Sequence, residues 1–164
     1  MVLTNKAVEA VKSLTFGLTA YGSTGGNLYV PSLLSYLARA HAELGQFEDA
    51  GRRIGEALTA VERTKERLWE AEVHRVAGEI ALMLPEPDAA KAGVCFERAL
   101  AVARVQQAKS WELRAAMSMA RLWRDQGKRQ QAQDLLAPVY GWFTEGFDTL
   151  DLKDAKALLE QLKA

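Results

Sequence analysis

The sequence has few of the residues that form disulfides, cysteine-based metal sites or membrane spans. Its 164 residues include one cysteine, Cys95, which excludes an internal disulfide framework and a zinc site made of cysteines alone. No stretch approaches the roughly 18 uncharged apolar residues of a membrane helix. Lys6, Glu9 and Lys12 interrupt the apolar residues of the N-terminal segment, unlike a signal peptide. We therefore expect a cytoplasmic protein with no membrane association.

An excess of charge of either sign is also missing. Twenty-one Lys and Arg residues balance 21 Asp and Glu residues, which removes the general electrostatic reason to expect nucleic acid or a membrane surface as a partner. Only four prolines occur, and 49% of the residues are apolar. This composition is typical of a folded globular chain, and we expect a single domain over residues 1–164.

One hydrophobic pattern occurs four times along the chain. Apolar or small residues follow a starting alanine at offsets of 4, 7, 8 and 11, and the four copies begin at Ala10, Ala50, Ala92 and Ala132. The starting positions are therefore almost evenly spaced. These offsets place the side chains on one stripe of an α-helix. A regular recurrence every roughly 40 residues indicates a repeat architecture.

A second pattern lies between the copies of the first. Tyr29, Trp69 and Trp111 are each followed nine residues later by a small residue, and a further helical stripe surrounds each small residue. Two stripes in each repeat predict two helices, and the small residues would let neighbouring helices approach closely. The predicted helices cover residues 4–21, 30–44, 47–65, 67–84, 88–107, 110–127, 129–143 and 150–163.

Glycine and proline mark several of the predicted helix ends. Gly45 and Gly127 lie where a first helix of a pair should stop. Pro138 falls inside the seventh predicted helix, where we expect a kink or a break. Asp148 or Thr149 could cap the last helix. No segment alternates with period two for long enough to predict a strand.

The spacing Leu37-Ala38, Gly45, Ala50 and Ile54 resembles a tetratricopeptide repeat, and residues 119–136 repeat it. The resemblance implies an all-α fold, a right-handed α-α superhelix of about eight antiparallel helices with a C-terminal capping helix. The corresponding repeats are a half repeat at 4–28, full repeats at 29–66, 67–108 and 109–147, and a cap at 148–164. The period, at roughly 40 residues, is longer than that of the family.

A narrower resemblance concerns the segments around Trp69 and Trp111 and the run Leu122–Phe147. They look like the C-terminal helical-repeat region of bacterial multidomain regulators that carry an adenylate or guanylate cyclase domain and a predicted ATPase domain. The resemblance implies a regulatory segment of a longer chain, with a catalytic domain of that chain as one possible partner. The motifs of those catalytic domains do not occur in this sequence.

Residues capable of catalysis or metal binding do not form a recognisable set. His41 and His74 fall on inward stripes without the spacing of a metal site, and we interpret Cys95 as an inert small hydrophobe. The glycine-rich turn 21–27 lacks the Gly-Lys-Ser/Thr ending of a phosphate loop. We therefore expect no enzyme activity, no metal and no cofactor. The four tryptophans are expected to pack between repeats.

The resemblance implies that the first helix of each pair lines a concave groove. Mapping its outward positions gives five arginines and four carboxylates, a mildly basic groove that could bind an acidic peptide. The predicted partner-binding residues are Tyr36, Arg39, Arg75, Glu79, Met117, Arg121 and Arg124. The alternative is that these charges pair along a solvated surface, since Arg75 stands at i,i+3 and i,i+4 spacing from Glu72 and Glu79.

These observations predict a non-catalytic interaction domain of a bacterial signalling protein that binds a peptide or a partner domain in its groove. One alternative is a sensor for a small anionic ligand that controls an attached cyclase or ATPase, with the arginines near Trp123 as its site. A second alternative is self-association into a homodimer through the N-terminal helix, where Val8, Val11 and Leu18 would form an incompletely covered face.

Overall fold

The computed structural model describes residues 2–65 and 67–163, with side chains from residue 5 onward. Over these residues the chain forms eight α-helices and no strand. The helices are α1 (Val2–Ser23), α2 (Val30–Glu43), α3 (Phe47–Thr64), α4 (Glu70–Met83), α5 (Ala89–Val105), α6 (Lys109–Asp125), α7 (Arg129–Gly141) and α8 (Leu150–Lys163). The prediction of an all-α repeat fold is confirmed. The expected domain ends at Met1 and Ala164, and the expected repeat boundary at Glu66, lie outside the described residues.

The helices form two rows. α2, α4, α6 and α8 pack in sequence against one another and make the inner row. In the described part of the chain, α3, α5 and α7 contact members of the inner row but not each other. Because one row is continuous and the other is separated, the stack bends with the inner row on its concave side, as in a superhelix.

The two expected glycine stops are present. Gly45 and Gly127 have φ of +75° and +77°, a left-handed conformation that glycine adopts without strain. In each case the next backbone N–H donates to a carbonyl five residues earlier, Gln46 to His41 at 2.9 Å and Lys128 to Trp123 at 2.8 Å. This is the Schellman arrangement that ends helices.

Pro138 does not break its helix. α7 continues through it and ends three residues later, at Gly141. Proline has no N–H group, so the backbone carbonyl four residues before Pro138 loses its partner within the helix. Pro138 is exposed on the outer row, and that carbonyl therefore lies on the side of the helix that water can reach.

Small residues set the distance between the rows. Ala38, Ala57, Ala99 and Ala120 are fully buried, and Gly78 of α4 lies directly under the ring of Phe96 of α5. A Cβ atom on Gly78 would be 2.5 Å from Cε1 of Phe96. The close crossing expected at Gly78 is therefore present, and Phe96 fills the space that the missing side chain leaves.

Aromatic rings connect successive repeats along the edge where the inner helices begin. Tyr29, Trp69 and Trp111 are separated by 6.0 and 5.5 Å between ring centroids, and Tyr21 extends the row at 6.1 Å from Tyr29. These distances suit favourable aromatic pairs. Trp142 differs from the expectation: it is 58% exposed and has Lys109 over its ring at 5.6 Å.

The Gly78–Phe96 contact yields a stability prediction. Replacing Gly78 with leucine should overpack the crossing of α4 and α5 and lower the free energy of unfolding by about 1–3 kcal/mol, measured by urea denaturation. Gly51→Leu is the matched control, because a Cβ atom there would meet no neighbouring atom within 4 Å and the position is exposed. Equal stability of the two variants would contradict this account of the crossing.

Candidate functional site

Charged side chains of the inner row form one continuous chain of ion pairs, which we call the inner ion ladder. It runs from Arg39 on α2 through Glu79, Arg75 and Glu72 on α4 to Arg114 on α6 and Asp151 on α8. Glu43 joins it at the α2 end, 3.2 Å from Nε of Arg39. The ladder therefore crosses all four helices of the inner row.

The centre of the ladder is a buried bidentate pair. Arg75 donates from Nε to one oxygen of Glu72 at 2.7 Å and from Nη2 to the other at 2.8 Å. The Glu72 side chain is 1% exposed and the Arg75 side chain 9%. Arg75 also donates to Glu79 and, at 3.4 Å, to the hydroxyl of Ser118. Its guanidinium is thus engaged on several sides.

Neighbouring helices complete the ladder. Nη1 of Arg114 is 3.1 Å from the carboxylate of Glu72, and its Nε is 3.5 Å from Asp151. The guanidinium of Arg114 also lies 5.4 Å from the ring centroid of Trp111. Burial alone lowers the pKa of Arg75, but the adjacent Glu72 and Glu79 carboxylates outweigh it and raise that pKa above its ordinary value. Arg75 therefore stays charged.

The seven predicted partner-binding residues fall into two groups. Tyr36 and Arg39 are exposed, and Arg121 and Arg124 are half-buried, so all four present surface to a partner. Arg75 and Met117 are buried, and Glu79 is held between Arg39 and Arg75 in the ladder. These three residues therefore support the inner surface from below, and they leave little side-chain surface for a partner to contact.

The charge of the inner surface differs from the expectation of a mildly basic groove. Asp151 of α8 is a fifth carboxylate that the repeat mapping omitted, so five arginines face five carboxylates. The Glu72–Arg75 pair predicted by spacing does form, but it is buried instead of solvated. Arg124 pairs with Asp125 at 2.9 Å and donates to Gln161 at 2.8 Å.

Arg121 is different from the other arginines of the inner row. It makes no ion pair with any residue that the structure describes, and its side chain is partly exposed. Arg121 and Arg124 together place positive charge on the surface near the C-terminal end of α6. An incoming carboxylate could reach Arg121 without displacing an existing partner.

A second feature, which the sequence reasoning missed, is a pair of buried glutamates in equivalent places of two repeats. Glu70 and Glu112 follow Trp69 and Trp111 within the first turns of α4 and α6. Arg67 holds Glu70 through two hydrogen bonds of 2.7 and 3.2 Å. Lys109 and Arg104 hold Glu112 at 2.8 and 3.0 Å. The two glutamates stand one repeat period apart, and this spacing was a signal available in the sequence.

These partners lower the pKa of both carboxyl groups. Hydrogen bonding from Arg67 lowers the pKa of Glu70. Burial raises the pKa of Glu112, but hydrogen bonds from Lys109 and Arg104 more than offset this, so that it too is lowered. Both groups lie near helix N-termini, where a negative charge is favoured.

The histidines and the cysteine have structural surroundings. Nδ1 of His41 is 2.6 Å from the side-chain oxygen of Gln46, and burial lowers the pKa of His74. Burial also raises the pKa of the Cys95 thiol, which opposes formation of a reactive thiolate. Among residues 2–65 and 67–163, no three His, Cys, Asp or Glu side chains cluster as a metal site would require.

No protein-family model matches the chain, and no curated protein matches it at a significant level. None of the described helices has the combination of length and apolar character that crossing a membrane requires.

The buried pair predicts a large effect of removing Arg75. Arg75→Met leaves the Glu72 carboxylate buried with Arg114 as its remaining partner, and we expect a loss of about 3–5 kcal/mol in the free energy of unfolding, as for other broken buried pairs. Arg39→Met, at the exposed end of the ladder, should cost about 1 kcal/mol or less. Urea denaturation of both variants measures the difference, and similar losses would refute the distinction.

The lowered pKa values of Glu70 and Glu112 predict acid sensitivity. Because each carboxyl binds its proton less readily in the folded state, its contribution to stability is present above the unfolded pKa of about 4.3 and is lost as the pH falls below it. The variant Glu70→Gln/Glu112→Gln should therefore show a shallower decline in the free energy of unfolding between about pH 5 and pH 3. Glu97→Gln, exposed and without an ion pair in the described structure, is the control. A decline as steep as that of the unaltered protein would contradict the proposed role.

Proposed function

We propose that this chain is a non-catalytic, regulatory interaction domain that binds a peptide or a partner domain along its inner surface. The observation that carries the proposal is the arrangement of that surface. Four helices present a continuous row, and the inner ion ladder fixes them relative to one another. A preformed surface of this kind loses little conformational entropy when a partner binds.

The groups left available on this surface define the chemistry of the partner. Tyr36 offers an exposed aromatic ring on α2. Arg121 offers a guanidinium on α6 that has no ion-pair partner among the described residues. Between them the charges are neutralised by the ladder. A partner with a carboxylate for Arg121 and an apolar group for Tyr36 therefore fits better than a uniformly acidic one.

The proposed biological setting is a bacterial signalling protein in the cytoplasm, with a repeat domain attached to cyclase and ATPase domains. It is supported by the resemblance of the segments around Trp69 and Trp111. In this setting a catalytic domain of the same longer chain is one candidate partner, and the helical domain would regulate it by binding.

A sensor for a small anionic ligand is the second candidate function, and one cavity favours it. An open cleft of about 350 Å³ is lined by Arg67, Arg98 and Gln106 and by the apolar side chains Ala101, Val102 and Val105. This cleft does not include the arginines near Trp123, which the sequence suggested as the site of a small anionic ligand. A thermal-shift series with nucleotides and acidic metabolites tests it, because a ligand of the folded state raises stability by RT ln(1 + [L]/Kd).

The test of the proposed function uses Arg121. Peptides selected on the protein from a displayed random library are expected to carry a carboxylate, and Arg121→Glu should weaken their binding at least tenfold, about 1.4 kcal/mol. Arg129→Glu on α7 of the outer row is the matched control, since Arg129 is exposed and has no ion pair within the described structure. Fluorescence anisotropy measures both. Unchanged affinity of the Arg121 variant, or an equal loss in the control, would reject the inner surface as the binding site.

A further inference from the structure

The cleft that favours the second candidate function lies where the end of α5 meets the segment before α4. Its volume of about 350 Å³ is at the lower end of the range for small-molecule sites. We call it the α5 cleft. The described residues that line it include two arginines and three apolar side chains but no carboxylate. This lining combines a site for negative charge with a surface for hydrocarbon.

Arg98 is the less engaged of the two arginines. Its Nη2 atom is 3.8 Å from the Glu70 carboxylate, which is beyond hydrogen-bond distance. Within the described structure its guanidinium makes no other ion pair and donates no hydrogen bond. The Arg98 side chain is 58% exposed. Its N–H groups can therefore donate to an incoming anion without loss of an existing hydrogen bond.

Arg67 supplies a second guanidinium that is engaged on one side. Its Nε and Nη2 atoms donate to Glu70, and its Nη1 atom has no partner among the described residues. The side chain of Gln106 donates to the backbone carbonyl of Arg67 at 2.7 Å, which ties the segment before α4 to the end of α5. The α5 cleft is therefore preformed, and a ligand would enter it at little cost in rearrangement.

The charges around the α5 cleft favour a singly charged ligand. The two arginines carry +2 and the Glu70 carboxylate next to them carries −1, which leaves +1 for an incoming group. Glu70 itself lines a smaller adjoining cleft of about 250 Å³, where Glu62 and Lys65 balance each other. A carboxylate, which arginine can bind through two parallel N–H groups, completes this balance. A phosphate dianion would exceed it.

The rest of the lining suits an aliphatic chain. Ala101, Val102 and Val105 follow Arg98 at offsets of 3, 4 and 7, which places them on the same face of α5. Val105 is 85% exposed, so a hydrocarbon chain over it would remove apolar surface from water. The remaining polar side chain of the lining, Gln106, already donates to the segment before α4. A nucleotide, with its ribose hydroxyls, therefore fits less well than a fatty chain.

We infer that the α5 cleft binds an aliphatic monocarboxylate, with its carboxylate on Arg98 and Arg67 and its chain over Val102 and Val105. Val105 stands about 10.5 Å after Arg98 along the helix axis, a distance that a straight chain of about eight carbons covers. The inference rests on the second candidate function, to which it gives a ligand class. It is independent of the inner surface, because no residue of the inner ion ladder lines the cleft.

Isothermal titration calorimetry with octanoate tests the ligand class. We expect one octanoate to bind to each chain. Binding of 1-octanol, which lacks the charge, and of butanoate, which lacks four of the carbons, should be at least about tenfold weaker, since both the ion contact and the buried methylenes contribute to affinity. Adenosine monophosphate should also bind more weakly than octanoate.

Substitutions on α5 test the location. Arg98→Gln should weaken octanoate binding at least about tenfold, whereas Lys91→Gln, which removes an exposed cation two turns earlier and outside the cleft, is the matched control and should have no effect. Val105→Asp should weaken binding as well, and Val94→Asp, at a 67% exposed site outside the cleft, is its control. All four side chains are exposed, so folding should be unaffected, and circular dichroism verifies it.

Glu70→Gln should change the affinity in the opposite direction. It removes the carboxylate that occupies Arg67 and raises the charge beside the α5 cleft by one, so octanoate should bind about threefold more tightly or better at pH 7. Because a purely structural role of Glu70 predicts weaker or unchanged binding, either of those results in a folded variant would contradict the assignment of the carboxylate to Arg98 and Arg67.

Three further outcomes would overturn the inference. The first is a lack of octanoate binding. The second is equal affinity for 1-octanol, which would reduce the cleft to an apolar patch, and the third is unchanged octanoate binding by the Arg98 variant. Arg121→Glu should leave octanoate binding intact, so failure of the α5 cleft and failure of the inner surface are observed separately.

Discussion

Because Gly78 has no side chain, Phe96 packs its ring directly against the backbone of α4, and buried alanines such as Ala57 and Ala99 accompany the same close packing elsewhere. Close packing of this kind leaves little room for long side chains between neighbouring helices. Glu72 and Arg75 of α4 and Arg114 of α6 must share one space, and in a space that excludes water an unpaired charge is strongly unfavourable. The bidentate pair at the centre of the inner ion ladder is thus a consequence of how closely the helices approach.

The inner ion ladder changes what the inner surface can recognise. Arginines that look available in the sequence are neutralised by carboxylates of the same helix or of a neighbouring one. The groups still available for binding are Tyr36 on α2 and Arg121 on α6. A buried network also has a geometric role, because its bonds are satisfied in only one relative placement of α4 and α6. The same residues that are withdrawn from binding therefore keep the available ones at fixed positions.

Most of the fold follows from local patterns in the sequence. The recurring apolar offsets predicted the helices with ends displaced by at most three residues, since they depend on the geometry of single helices. The burial of Arg75 could not be read in this way, because on its own helix it points away from the apolar stripe and only the neighbouring helices cover it. The repeat period did contain a usable signal: Arg39 and Glu79 stand one period apart, and so do Glu72 and Arg114. Positions one period apart lie side by side on adjacent inner helices, so opposite charges at that spacing predict a ladder. Asp151 on α8 could not be predicted in this way, because it does not stand one period after its partner Arg114.

The two rows of the stack offer different surfaces. The inner row is continuous, and the inner ion ladder fixes its helices, so it suits a ligand that runs across several of them. The outer row is divided, because α3, α5 and α7 contact inner helices but not one another in the described chain. A ligand on that side would meet one helix at a time, and for this reason the proposed binding surface lies on the inner row.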